Sequence, residues 1–406
     1  MPVTRRTFAK AAVAAGGLAA TTAAGLRHPV FGGTPRGARL ARMQASPQWD
    51  AARSRFANTE PSAMGGSLSS AWEWVAGGSD HRRPEAPVPV VSRRRADYAE
   101  ASPFRLTWLG HATTLVELGG RRLLIDPVFS RHASPGPLFG VARFHAPPVA
   151  LAELPPLDAV LLTHDHYDHL DRAAVETLAP TVPRWLAPLG VGAHLERWGV
   201  APERVEELDW WDEADVGGVR AVATPARHFS GRSLTDRDRT LWCGWALLAD
   251  AGRLWASGDG GYTRHFGEIG RRLGPFDASL VEVGAYDQSW ADIHMGPEQG
   301  VRAVQDVGGG VMLPVHWGTF DLALHGWTEP AERVVRAAEA AGVPVAVPRP
   351  GAFVEPLADV DRRAAGVERW WPELPFETAE EAPVVSSGVA ARAAAEGWDQ
   401  PGAPGV

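Results

Sequence analysis

Three histidines and two aspartates fall within six consecutive residues, 164–169, whose sequence is HDHYDH. The run 158–163 directly precedes them and is predicted to be a buried strand. Loops that leave strand ends are where rigid scaffolds present functional groups. Imidazole and carboxylate side chains together suit Zn²⁺ and similar borderline metals. The spacing therefore predicts a metal-binding loop rather than a solvated polar loop.

Three further residues of the same chemical kind each follow a predicted strand. A lone histidine at a strand end is more often structural, and an aspartate beside glycine usually forms a turn. Because strand ends converge on one edge of a sheet, their shared position predicts that these side chains join the first cluster. They are His228, Asp259 and His316, after the predicted strands 219–223, 253–256 and 311–315.

The elements that would position these residues begin near residue 100. From there, strands first form a meander and then alternate with helices, and this pattern repeats. Two stacked sheets with helices outside would bury that many apolar strands, and a doubly wound α/β fold is the alternative. The other predicted strand runs are 104–118, 121–125, 240–248, 279–283, 343–347 and 352–355. The predicted helices are 172–178, 193–198, 297–307 and 329–341.

We predict four segments along the chain. They are a signal segment 1–26, an irregular N-terminal arm 27–100, a catalytic domain 101–358 and a C-terminal extension 359–406 with a disordered end. Residues 4–10 read TRRTFAK and resemble the twin-arginine export motif. The Ala/Gly-rich stretch that follows is short and weakly apolar for a membrane span. We therefore expect export by the twin-arginine machinery to the periplasm, the exterior or the outer face of the cytoplasmic membrane.

Charge and cysteine content exclude one class of partner and two kinds of cysteine chemistry. The formal net charge is −8, and no basic run is longer than the three arginines at 93–95. A nucleic-acid partner is therefore not expected, because such binders usually carry a basic face. Cys243 is the only cysteine, which rules out an intramolecular disulfide and a metal site built of thiolates.

The order of the candidate ligands resembles that of the metallo-β-lactamase superfamily. The resemblance implies an α+β fold, a four-layer αββα sandwich with two Zn²⁺ ions at one edge of the sheets, Fe or Mn being alternatives. It implies His164, His166 and His228 on the first ion, Asp168, His169 and His316 on the second, and Asp259 as the bridge. His166 argues against the di-iron flavoprotein branch, which has glutamate at that position.

Flanking motifs resemble one branch of that superfamily, the N-acylphosphatidylethanolamine phospholipase D family. They are LGHAT at 109–113, LIDPVF at 124–129, RFH at 143–145, TLWCGW at 240–245, GDGGY at 258–262, GAY at 284–286, HWGTF at 316–320 and RFAN at 55–58. The resemblance covers roughly residues 50–355 and is shared in part with ascorbate-lactonase-like proteins. It implies a phosphodiesterase that acts on glycerophospholipids.

Several residues around the ligands are candidates for contact with substrate or support of the ligands. His294 matches an active-site histidine of this branch and is the candidate for substrate contact or leaving-group protonation, a surface-loop histidine being the alternative. Asp259 and His294 are the predicted catalytic residues. Tyr286, Trp290 and Trp317 are predicted to bind substrate, although ordinary core aromatics fit the pattern of the first two as well. His111 and Asp165 are predicted to contact the ligands from behind.

These observations predict a binuclear zinc-dependent hydrolase, a phosphodiesterase acting on glycerophospholipids. The alternatives are a lactonase or other ester hydrolase on the same metals, and a metal-bearing envelope protein without turnover. The expected partners are a small-molecule or lipid substrate and the twin-arginine export machinery. Peripheral contact with a membrane is compatible with a lipid substrate and with export. The sequence sets neither the oligomeric state nor the acyl-chain preference.

Overall fold

The computed structural model describes residues 28–62, 77–136, 140–358 and 367–387. The predicted signal segment and the predicted disordered end lie outside these ranges. In chain order the strands are β1 (Trp49–Asp50), β2 (Arg55–Phe56), β3 (Phe104–Gly110), β4 (Thr113–Leu118), β5 (Arg121–Ile125), β6 (His132–Ala133), β7 (Val141–Ala142), β8 (Ala159–Leu161), β9 (Trp185–Pro188), β10 (Val205–Leu208), β11 (Glu213–Val216), β12 (Val219–Thr224), β13 (Gly244–Ala249), β14 (Gly252–Ala256), β15 (Ala278–Glu282), β16 (Val311–Val315) and β17 (Phe353–Val354). The α-helices are α1 (Gly37–Ala45), α2 (Arg172–Leu178), α3 (Gly192–Arg197), α4 (His265–Leu273), α5 (Pro297–Val307) and α6 (Glu329–Ala341).

Two mixed sheets form the centre of the molecule. The first has the order β10-β9-β8-β5-β4-β3-β17, and the second β11-β12-β13-β14-β15-β16. In each, an antiparallel meander continues into parallel strands: β5, β8, β9 and β10 in the first sheet, and β14, β15 and β16 in the second. Parallel neighbours require crossover connections, and helices α2 to α5 lie in these connections.

Alternate side chains along the strands of the first sheet belong to two different cores. Leu106, Trp108 and Leu123 join the core between the sheets, which also contains Trp245 and Trp255 of the second sheet. Residues of opposite parity, such as Leu124 and Val160, instead pack with Val175 of α2 and Leu195 of α3. Because side chains alternate across a strand, each strand of the first sheet contributes side chains to both cores. The predicted αββα sandwich is confirmed, and the doubly wound alternative is wrong.

Most predicted elements of the catalytic domain are present, with informative differences. Helices α2, α5 and α6 have the predicted bounds. The predicted run 104–118 is two strands, because the chain reverses at His111, whose φ is 52°. The predicted strand 240–248 begins only at Gly244, and the predicted strand 343–347 contributes a single bridge, between Val345 and Met312. Strands β1, β2, β6, β7, β9, β10 and β11 and helices α1 and α4 were not predicted.

The segments outside the sandwich pack against it. In the N-terminal arm, Arg39 of α1 forms ion pairs with Glu196 and Glu207, at 2.5 and 2.7 Å. In the C-terminal segment, the Trp371 indole donates a hydrogen bond to Glu332 of α6 (2.7 Å). Among the described residues, none of the helices has the length and apolar character needed to cross a bilayer.

Candidate metal centre

The candidate ligands meet at one edge of the sandwich, where strands of both sheets end. The loop 164–169 leaves β8 of the first sheet, and His228, Asp259 and His316 follow β12, β14 and β16 of the second. These three strands run in the same direction, so their carboxyl ends share an edge. A hydrogen bond from Cys243 N to Thr163 O (2.9 Å) joins the two sheets at this edge.

The first group of ligand-type atoms consists of His164, His166 and His228, which we call the three-histidine cluster. His166 Nδ1 lies 2.9 Å from His164 Nε2 and 3.2 Å from His228 Nε2. Nitrogens bound to one tetrahedral Zn²⁺ are about 3.3 Å apart, given Zn–N bonds of about 2.0–2.1 Å. The three nitrogens are therefore spaced as ligands of a single ion would be.

The second group consists of Asp168, His169 and His316, which we call the carboxylate-rich cluster. Asp168 Oδ2 lies 3.3 Å from His316 Nε2 and 3.7 Å from His169 Nε2. His111 contacts the same oxygen through Nε2 at 2.9 Å and is itself buried. His111 therefore belongs to the same group of ligand-type atoms, and its predicted role behind the ligands stays a prediction.

Asp259 lies between the two clusters. Its Oδ2 is 3.0 Å from the Nε2 atoms of both His169 and His316 in the carboxylate-rich cluster. The same oxygen is 3.9 Å from the Nε2 atoms of His164 and His228 in the three-histidine cluster. One buried carboxylate is thus within reach of ligands of both groups.

Residues behind the ligands fix which ring nitrogen faces the centre. The Asp126 carboxylate accepts hydrogen bonds from His169 Nδ1 (2.7 Å) and from the Thr163 hydroxyl (2.6 Å). That hydroxyl in turn lies 2.9 Å from His164 Nδ1, and His228 Nδ1 donates to Ile293 O at 2.9 Å. With the Nδ1 atoms engaged, the Nε2 lone pairs of all three rings point inward, as metal ligands require.

Burial and charge agree with a cation at this centre. His169 Nε2 is buried and makes no hydrogen bond, although the Asp259 carboxylate lies 3.0 Å away. Burial lowers the pKa of His164 and of His228 well below the usual value, which leaves neutral rings with free lone pairs. Burial acts the same way on His169, but the nearby Asp259 and Asp168 outweigh it and raise its pKa. The donor set and its orphaned nitrogen fit a bound metal ion.

Asp165, the first aspartate of the loop, faces away from the ligands. Its carboxylate accepts hydrogen bonds from Gly231 N (2.7 Å) and the Thr240 hydroxyl (2.9 Å), and His194 Nε2 lies 3.4 Å from it. Burial favours the neutral acid, but the hydrogen bond and charge of His194 outweigh it, so the pKa of Asp165 is lowered. Asp165 thus ties the loop to the segment 230–240.

His294 lies beside both clusters and is paired with a buried acid. Its ring is 5.2 Å from that of His228 and 5.3 Å from that of His316, measured between centroids. His294 Nδ1 is 3.0 Å from Oε2 of Glu282, the last residue of β15. Burial raises the pKa of Glu282 to about 7, and the charge of His294 opposes this shift. Sequence reasoning missed Glu282, although a lone acid that ends an apolar strand was a visible signal.

The three predicted substrate-binding aromatics lie in different places. Trp317 is buried in the core and stacks on Trp108, with centroids 5.6 Å apart. The Tyr286 hydroxyl donates to Glu329 (2.7 Å), and its ring lines a cavity of about 780 Å³ bounded by the C-terminal segment. The Trp290 indole donates to Ala285 O at 2.8 Å. Of the described residues, none of these aromatics lines the cavity that adjoins His228, so their role in substrate binding stays a prediction.

Known proteins share both the sequence pattern and the fold. Residues 121–317 match the Beta-lactamase superfamily domain family. An uncharacterized protein of Mycobacterium tuberculosis is 48% identical over 307 residues, which cover 74% of this chain and 80% of that protein. N-acyl-phosphatidylethanolamine-hydrolyzing phospholipase D 1 of Caenorhabditis elegans is 34% identical over 256 residues, covering 60% of this chain and 72% of that protein.

A solved structure, the isothiocyanate hydrolase from Delia radicum gut bacteria, shares the fold. The TM-score is 0.50 at 22% sequence identity, and the match covers 62% of this chain and 98% of that one. The comparison supports the sandwich architecture alone.

Proposed function

This chain belongs to the metallo-β-lactamase superfamily, near its N-acylphosphatidylethanolamine phospholipase D branch, and we propose that it is a binuclear zinc phosphodiesterase. As a member, it is a metal-dependent hydrolase. The proposed substrate is a glycerophospholipid, cleaved on the head-group side to release phosphatidic acid. The C. elegans relative, which by its name hydrolyses N-acyl-phosphatidylethanolamine, supports that substrate class.

The position of Asp259 between the two clusters carries the proposal. Its carboxylate oxygen lies 3.0 Å from two nitrogens of one cluster and 3.9 Å from two of the other, so Asp259 would help to hold an ion at each cluster. When bound, a pair of metal ions lowers the pKa of water and neutralises charge that develops on the attacked group. In a displacement at phosphorus, charge develops on both the attacking and the leaving oxygen, and a pair of metal ions would stabilise both.

The residues of the chain supply orientation and a proton. Asp126 and Thr163 hold His169 and His164 in the required tautomers. Glu282 accepts the Nδ1–H of His294, which leaves Nε2 of that ring as the atom that donates a proton to the leaving alcohol oxygen. After that transfer the ring is neutral, and the head group departs as an alcohol.

The test is hydrolysis of N-acylphosphatidylethanolamine by the zinc-loaded protein, with phosphatidic acid measured by mass spectrometry. The expected result is release of phosphatidic acid that chelation abolishes and added zinc restores. Lactones and carboxylic esters are assayed in parallel. Chelator-sensitive hydrolysis of lactones or carboxylic esters without hydrolysis of the phospholipid would favour an ester hydrolase instead. No turnover of any of these substrates would favour a metal-bearing binding protein.

Export through the twin-arginine machinery is the proposed route to envelope lipids. The expected result of replacing Arg5 and Arg6 with lysine is retention of the protein in the cytoplasm, measured by cell fractionation. Unchanged export of this variant would contradict the proposal.

A further inference from the structure

A cavity of about 510 Å³ adjoins the three-histidine cluster at His228. The N-terminal arm forms one wall, with strand β2 and the residues that follow it. Asn58 of this wall donates a hydrogen bond to His228 O (2.7 Å), which fixes the arm against the segment that carries the ligand. The cavity is therefore bounded on one side by the arm and on the other by the segment that carries His228, and its volume is that of a small-molecule site.

Arg55 of β2 lines this cavity without a partner. In the described part of the chain, its guanidinium makes no hydrogen bond and has no carboxylate within 4 Å, and its Nε is buried. A buried polar group without a partner is costly, and a charged one more so. Such a group in the wall of a cavity is placed to receive a ligand that supplies the missing acceptor.

The other charged residues of the cavity wall each have a counter-charge nearby. Glu60 accepts a hydrogen bond from Arg264 N (3.2 Å) and lies 3.6 Å from its Nε. The Asp238 carboxylate lies 3.6 Å from Arg237 Nε, and the positive charge of Arg55 also acts on it from a longer distance. The last of the group, the exposed Arg53, lies 3.6 Å from Asp50. Each acid thus has a cation nearby, although Glu60 Oε2 and Asp238 Oδ1 are buried without a hydrogen bond. Among the described charged residues of this wall, Arg55 is the cation with no carboxylate within 4 Å.

The cavity adjoins the segment that carries His294. Ile293, the neighbour of His294, lines it, and Ile293 O accepts the hydrogen bond from His228 Nδ1. We therefore take this cavity as the space that receives the head group as it departs. Arginine side chains in the wall suit a polar head group better than acyl chains.

We propose that Arg55 binds a second anionic group, a carboxylate or phosphate carried by the head group of the substrate. Preferred substrates are then glycerophospholipids whose head group bears a negative charge beyond the scissile phosphodiester. Guanidinium and carboxylate or phosphate match in a two-hydrogen-bond geometry, which gives the site its selectivity. The inference rests on the proposed phosphodiesterase function.

Two lipids that differ by a single carboxylate test the proposal. N-acylphosphatidylserine carries that carboxylate on its head group and N-acylphosphatidylethanolamine lacks it, with the same acyl chains in the same mixed micelles. Hydrolysis of both is measured for the zinc-loaded wild type, Arg55→Gln and Arg55→Lys. Arg220→Gln is the matched control, because Arg220 is a half-exposed arginine of β12 that pairs with Glu213 (2.8 Å) and does not line the cavity.

We expect the wild type to prefer the serine lipid and Arg55→Gln to lose about tenfold or more in kcat/KM on that lipid alone. Arg55→Lys should retain part of the preference, and Arg220→Gln all of it. Equal turnover of both lipids by the wild type, or an equal loss on both in Arg55→Gln, would overturn the role of Arg55 but not the phosphodiesterase. No turnover of either lipid by the wild type would overturn both. Thermal unfolding midpoints show whether each variant is folded.

Discussion

The three-histidine cluster and the carboxylate-rich cluster lie side by side but hold their histidines in different states. Behind His164 and His228 lie a hydroxyl and a backbone carbonyl, and burial keeps both rings neutral. Around His169 lie the carboxylates of Asp126, Asp168 and Asp259, which favour a positive charge. The same side chain is therefore a ready ligand in one place and a proton carrier in the other, according to what surrounds it.

This difference assigns a distinct role to each part of the centre. The first cluster offers lone pairs without the need to lose a proton, whereas the second attracts cations and exchanges protons for them. Asp259 connects the two, so loss of its charge affects both. The following variants and measurements separate these contributions.

The largest effect is expected for Asp259→Asn. The amide keeps the shape but removes the negative charge within reach of both clusters, so we expect activity to fall about a thousandfold or more. Bound zinc should fall below two ions per chain, measured by atomic emission after gel filtration. Two ions per chain with full activity would show that the clusters do not share this carboxylate.

His294→Ala is expected to lower activity about a hundredfold on lipids with an alkyl-alcohol leaving group, because the proton donor is lost. With a nitrophenyl phosphodiester the loss should largely disappear, since nitrophenolate leaves without a proton. Zinc content should be unchanged, because His294 stands outside both clusters. A similar loss on both substrates would indicate a structural role instead.

Asp126→Asn is expected to lower metal affinity about tenfold or more, with the larger fall in the carboxylate-rich cluster. Asp126 contacts His169 directly but reaches His164 only through Thr163. Competition with a chromophoric chelator measures the two affinities. Thr163→Val is the companion variant, and it should weaken the three-histidine cluster more than the carboxylate-rich cluster, because the hydroxyl lies 2.9 Å from His164 Nδ1 and 3.4 Å from His169 Nδ1. An equal effect on both clusters would contradict this order of contacts.

The smallest effect is the release of protons as zinc binds. Burial opposes protonation of His316, but Asp259 and Asp168 raise its pKa to about 10, so this ring is protonated near neutral pH without metal. A zinc ion that binds to His316 must displace this proton. The affinity of the carboxylate-rich cluster for zinc should therefore rise with pH up to that pKa. The three-histidine cluster should release none from His164 and His228. Calorimetry in buffers of different ionisation enthalpy counts the protons, and equal release at both steps would contradict the difference.

The seven candidate ligands could be selected from the sequence because of their position relative to strands. Each ligand segment follows an apolar strand, and parallel strands end at a common edge. The turn at His111 was missed because a histidine with a φ of 52° is unusual, although Gly110 directly before it, with a φ of 107°, was a visible signal.

Residues that act through tertiary contacts could not be selected in this way. The contact of Asp126 with His169 spans 43 positions in the sequence, and Arg55 meets the centre only through the folding of the arm. Trp317 is a different case. It is adjacent to His316 in sequence, but its ring packs on Trp108 in the core while His316 faces Asp259. Proximity in sequence to a ligand does not place a side chain on the substrate.

A crystal structure of the zinc-loaded protein, with the ions located by anomalous scattering, tests the central claim most directly. The account predicts two ions per chain, one held by His164, His166 and His228 and the other by Asp168, His169 and His316, with the Asp259 carboxylate in contact with both. A single ion, or a second ion that does not touch Asp259, would contradict it.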